Sequence, residues 1–138
     1  MNARYRNQLG GLHARAKEGK CFEEQDDVQR ALGIYDDLLS QPDESLPMIR
    51  LKDIVRHFRL ICLNHPSRKD YQVVVDEATA WYSKASSSRR QSNVGLGIMW
   101  EQARAYEKLS EREGIVHSER DAFLRQAMKA IQIGRAHV

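Results

Sequence analysis

The sequence predicts an all-α protein of about six antiparallel helices, paired into three hairpins stacked side by side. Three observations predict it. Apolar residues recur at helical spacing over six segments. No segment alternates with period two over a useful length. An alanine-then-bulky pattern recurs in every second segment at nearly equal intervals. The bulk numbers agree: 138 residues suit one domain burying roughly two-thirds of its unfolded surface. A 30% charged share with ordinary hydrophobicity argues against a membrane protein and against wholesale disorder.

The first helix is predicted over about Asn2–Glu18, where Tyr5, Leu9, Leu12 and Ala16 share a face and Gly19 is positioned to end it. The second covers about Glu24–Ser40, its apolar face being Val28, Ala31, Leu32, Tyr35, Leu38 and Leu39. Pro42 and Pro47 bracket the turn "SQPDESLP", and Ser45 is placed to cap the third helix, about Leu46–Leu63. That helix carries Met48, Leu51, Val55, Phe58 and Cys62 on one face, widened by Ile54 and Ile61. After the break "NHPSRKD", a fourth helix over about Lys69–Ala85 aligns Tyr71, Val74, Val75, Ala78, Trp81, Tyr82 and Ala85. The loop "SSSRRQSN" leads to a fifth helix, about Val94–Ser110, and "EREGIVH" to a sixth, about Ser118–Gln132. Each stripe must be covered by another helix, either in a closed bundle or in an open stack.

The even-numbered helices favour the stack. They read Ala31-x3-Tyr35, Ala78-x3-Tyr82 and Ala127-x3-Ile131, with 47 residues between the first two alanines and 49 between the last two. Intervals of this size mark repeated supersecondary units. A small side chain at a helix crossing lets the backbones approach to about 8 Å rather than 10 Å, and an aromatic one turn later fills the wedge. "ALGIYDDLLSQP" and "ATAWYSKA" resemble the second-helix half of tetratricopeptide repeats, which read A-x3-F/Y-x2-A followed by proline. In "GLGIMWEQARAYEKL", Ala103 and Tyr106 resemble the small-then-tyrosine step of the first helix. "NQLGGLH" supplies the Leu-Gly step at Leu9 and Gly10, with His13 in place of tyrosine, and "VRHFRLICL" matches in general character. The period is longer than the family's, about 34 residues, mainly through longer loops. The resemblance implies a right-handed α-solenoid over residues 1–132, with hairpins at about 2–40, 46–86 and 93–132. A closed helical bundle is the alternative.

The last six residues, "IGRAHV", resemble the translation of a short-read sequencing adapter. Residues 133–138 are therefore expected to be non-native, and the chain to be a fragment of a longer protein. Without Arg135 the 22 basic residues become 21 against 19 acidic ones, a net +2 instead of +3. So small an excess says little about partners.

Chemical motifs are sparse. "GLG" at Gly95–Gly97 lacks the Lys-Ser/Thr ending and the preceding strand of a phosphate loop. His57 and Cys62, five residues apart on a helix, diverge by about 140°. Even with His65 they offer at most three zinc ligands, so no metal is expected. Cys21 and Cys62 are too few for a disulfide framework and read as reduced thiols in a cytoplasmic protein. Asp36 and Asp37 are adjacent and point apart on a helix, so they read as a solvated face rather than a catalytic pair. No enzyme activity, cofactor or membrane association is expected.

Polar, mostly basic stripes line the odd-numbered helices: Arg4, Gln8 and Arg15 on the first, Lys52, Arg56 and Arg59 on the third, and Glu101, Arg104 and Lys108, mixed in sign, on the fifth. The resemblance implies that these helices line a concave groove, where arginines can fork onto carboxylates of an acidic partner. A plain solvated surface is the competing reading. Arg89-Arg90-x-Ser92 has the form a basophilic kinase prefers, which makes Ser92 a candidate phosphosite. Ala31, Tyr35, Ala78, Tyr82, Ala103, Tyr106 and Ala127 are the expected packing residues. The function these features predict is a non-enzymatic protein-interaction scaffold that binds a peptide or partner helix and is able to self-associate through an uncapped terminal repeat. A regulatory domain of a larger enzyme or signalling protein is one alternative, and a helical nucleic-acid binder another.

Overall fold

A computed structural model describes residues 8–135. Among them there are seven helices and no strand: α1 (Leu9–Glu24), α2 (Val28–Leu39), α3 (Leu46–Leu63), α4 (Tyr71–Lys84), α5 (Ser87–Arg90), α6 (Asn93–Ser110) and α7 (His117–Arg135). They fall into two compact units, Met1–Cys62 and Leu63–Val138. The protein is all-α, and no helix of the described residues is long and apolar enough to cross a membrane.

In the first unit, α1 does not stop at Gly19 but runs on to Glu24. Gly19 is buried, and a Cβ there would lie 2.6 Å from Cε1 of Tyr35. It is a contact glycine, where the backbone of α1 meets the ring of α2, and not a terminator. Tyr35 is fully buried and also packs against Phe58 of α3, ring centroids 5.8 Å apart. The start of α2 is four residues later than the sequence predicts. Asp26 adopts φ 61°, which ends any helical path, and the Asp27 carboxylate then accepts from Arg30 N at 3.4 Å. Lys69 (φ 57°) likewise breaks the path before α4, whose N-cap Asp70 makes no side-chain capping bond. The bounds of α3 coincide with the predicted ones, and Ser45 Oγ caps it by accepting from Met48 N at 3.3 Å.

Charge ties these helices together. Asp37 of α2 pairs with Arg15 of α1, while Asp36 pairs with Arg59 of α3 at 2.8 Å. Adjacent helical residues diverge, so the two acids grip different neighbours. Lys52 adds a bond to the Gln41 carbonyl and a pair with Asp43, both at 2.8 Å.

In the second unit, α6 packs against α4, α7 and the single turn α5. Its buried residues cover a little over half of the helix circumference, Ile98 and Gln102, Met99 and Ala103, Glu101 and Ala105, while Trp100, Arg104, Glu107 and Lys108 are exposed. Two polar ones are satisfied. Gln102 Nε2 donates to the Val75 carbonyl (3.2 Å) and to Thr79 Oγ1 (2.8 Å) of α4. Asn64 Nδ2 donates to the Glu101 carbonyl at 3.0 Å, and the Glu101 carboxylate meets Arg104 at 3.3 Å. Gly95 lets α6 begin against α5, since a Cβ would lie 2.4 Å from the Arg89 carbonyl oxygen. The segment "SSSRRQSN" is thus a built corner and not an open loop. Arg90 reaches back to the Tyr82 carbonyl at 2.7 Å and stacks on the Tyr82 ring.

Two glycine substitutions separate packing from propensity. Gly33 is exposed inside α2 with nothing near a new Cβ, so Gly33→Ala should raise stability by about 0.5–1 kcal/mol. Gly19→Ala gains the same propensity but drives a methyl into Tyr35, and should lose about 1–2 kcal/mol net. Urea unfolding of the two variants checks the opposite signs. A gain from both would show that Gly19 is not in contact.

Candidate functional site

The predicted basic stripes are largely engaged within the protein. Arg4 lies outside the described residues. Gln8 is exposed at the N-cap of α1 and makes no capping bond. Arg15, Lys52 and Arg59 hold Asp37, Asp43 and Asp36, as described. Lys52 and Arg59 have side chains only 20% and 19% exposed. Arg56 is half-buried and not free. In the second unit, Arg104 pairs with buried Glu101, and Lys108 with Glu111 at 3.5 Å. The structure thus brings Arg15, Lys52 and Arg59 together with the acids of α2 and the turn after it.

The packing residues are buried as a set: Ala31, Ala78, Ala103 and Ala127, with Tyr35 fully covered and Tyr82 and Tyr106 half-buried. Their depth along the helices differs. Ala31 lies three residues past the start of α2 (31 − 28), Ala78 seven past that of α4 (78 − 71), and Ala127 ten past that of α7 (127 − 117). Ser92 is exposed and caps α6, accepting from Gly95 N at 3.1 Å and donating to the Arg89 carbonyl at 2.7 Å.

A cluster of titratable groups sits where α1, α2 and α3 converge. Glu23 pairs with Lys20 and accepts from Cys62 Sγ at 3.6 Å, and the Lys20 ammonium lies 4.7 Å above the Phe58 ring. Burial, reinforced by the nearby Glu23 carboxylate, raises the Tyr35 hydroxyl above its ordinary pKa. The same two causes push the Cys62 thiol up to about 12. Burial, with Lys20 adding to it, lowers His57. The arrangement keeps the thiol protonated and disfavours a charged imidazole, so it supplies neither a thiolate nucleophile nor a cationic acid at neutral pH. His65 is engaged with Ser67, 2.8 Å from Nδ1 to Oγ. Among the described residues no group of three or more His, Cys, Asp or Glu side chains is placed to hold a metal ion.

The feature that sequence reasoning missed is apolar and outward-facing. Trp100 of α6 is 55% exposed, and Leu124 and Met128 of α7 are 39% and 61% exposed. The seam between these helices is made by Met99 and Ala103 against Ala127 and Ala130, with Tyr106 and Phe123 rings 6.3 Å apart. Trp100 is one residue past Met99, and Met128 one past Ala127. In antiparallel helices, equal rotation off a shared seam leads to the same side of the pair. Leu124, four residues before Met128, lies on that side too. Periodicity in single helices could have flagged Trp100 as off-stripe, but only the pairing joins it to α7. Compared with family models, curated proteins and solved structures, the chain matches none.

Two outcomes follow from the first unit. Lys52→Glu with Arg59→Glu sets new carboxylates against Asp43 and Asp36 and should destabilise the protein by about 1–2 kcal/mol in urea, less at high salt. Iodoacetamide at pH 8 should label exposed Cys21 and spare buried Cys62 until denaturant is added, as peptide mass mapping would report.

Proposed function

We propose that this protein is a non-enzymatic interaction scaffold: a tetratricopeptide-like array of helical hairpins that holds a peptide or partner helix. The observation that carries this reading is Trp100. It projects from α6, the helix with the most buried residues, and is more than half exposed. An indole held outward on an immobilised helix has the properties of an interface anchor, because little conformational entropy remains to be lost when a partner covers it. The basic side chains of the odd helices have a structural part in this reading. Arg59 orients α3 on α2 and Lys52 holds the turn between them, and the partner is met by apolar surface. The helical-repeat arrangement draws support from contact between small and bulky residues where the helices meet, Gly19 with Tyr35 and Ala103 with its neighbours on α7. A cytoplasmic setting belongs to the same reading, with Cys62 sequestered as a thiol against Glu23.

Panning a displayed-peptide library against the protein tests the proposal. Selected sequences should bind Trp100→Ala at least about 30-fold more weakly, the loss typical of an anchor residue. Thermal unfolding should be nearly unchanged, since the indole contributes little to the core. Selection of sequences that bind the alanine variant equally well would reject it.

A further inference from the structure

We infer that the α6–α7 hairpin carries a docking face for an acidic amphipathic helix, a conclusion that rests on the interaction reading and gives it a partner chemistry. Three large apolar side chains, Trp100, Leu124 and Met128, share one side of this hairpin and remain exposed. Leu124 and Met128 are one helical turn apart, the spacing at which a partner helix presents its own i and i+4 residues. Half-buried Ile131 continues the strip from the seam outward.

Charge selects among apolar partners. The two large exposed apolar residues of α7 are each followed by a cation: Leu124 by Arg125 and Met128 by Lys129. Both cations are exposed, four residues apart, and neither has a carboxylate partner among the described residues. They differ in this from Arg15, Lys52, Arg59 and Arg112, each of which is paired with a carboxylate. Two acids lie near the apolar side. Asp121 is held by His117 at 3.3 Å, and Glu107 is exposed on α6. The outer flank of the strip is therefore positive, while its α6 flank carries Glu107 beside Arg104. A helix with leucine-like residues along one stripe and Glu or Asp along the edge facing α7 satisfies both the apolar strip and the two unpaired cations. The same charges repel a second copy of α7 laid in register, so this chain is not its own best occupant.

The probe is a synthetic amphipathic helix with leucines at i, i+3, i+4 and i+7 and glutamates on one flank, fluorescently labelled and titrated by anisotropy against the full chain. A twin peptide has lysines in place of the glutamates. The acidic peptide should bind with micromolar affinity that weakens at higher salt, and the basic twin about tenfold or more weakly. Arg125→Glu with Lys129→Glu should invert that order, and Trp100→Ala should weaken both peptides. Circular dichroism confirms that the variants remain folded, since all three side chains are exposed. Equal binding of the two peptides, no binding of the acidic one, or a self-associated chain that excludes it would each overturn the inference. If panning yields Trp100-dependent peptides that are not acidic, this partner chemistry falls while the interaction reading stands. If it yields none that depend on Trp100, both fall.

Discussion

Burial of α6 between its neighbours is the constraint on which the second unit depends. Polar groups on the covered half of such a helix must find partners inside the protein. Glu101 and Gln102 sit at 3% and 5% exposure, and both have partners. Gln102 matters most for register. Its amide spans from α6 to a carbonyl and a hydroxyl of α4, so sliding either helix by one turn would leave a buried donor unpaired. Gly95 fixes the other end, because only a residue without Cβ tolerates the Arg89 and Arg90 carbonyls so close. With both contacts set, Trp100 has one orientation relative to α4 and α5. A surface anchor needs that precision.

The first unit is organised by charge matching around α2. Its two adjacent acids reach in opposite directions, Asp36 to α3 and Asp37 to α1. Exposed ion pairs of this kind contribute only about 0–1 kcal/mol each. The apolar wedge of Tyr35 against Gly19 and Phe58 supplies the larger share of cohesion, and the pairs choose orientation. The contrast with α7 is physical: Arg15 and Arg59 meet acids on a neighbouring helix, whereas Arg125 and Lys129, which have no carboxylate partner among the described residues, lie beside uncovered apolar surface.

Much of the helical architecture is legible in the residues, because amphipathic periodicity is strong and proline and serine mark the borders. The bounds of α3 are predicted to the residue, and Ser45 caps it as its position suggests. Gly19 was misleading because a glycine inside a helix and a glycine ending one look alike until Tyr35, sixteen residues away, is placed beside it (35 − 19). The start of α2 was hidden by the left-handed backbone at Asp26, a conformation that no local apolar pattern announces. The stripes are legible in single helices, but the acids that Arg15, Lys52 and Arg59 meet lie 9 to 23 residues away in sequence (52 − 43, 59 − 36), beyond the reach of single-helix reasoning. The apolar face was illegible for the same reason, since Trp100, Leu124 and Met128 become neighbours only across the hairpin.

Native-state hydrogen exchange most directly tests whether α6 is held as firmly as its burial requires. The account predicts that the amides from Ile98 to Ala105 open only with complete unfolding, at the free energy found by denaturant titration. Exchange of that segment through local opening, at a free energy well below the global value, would contradict it.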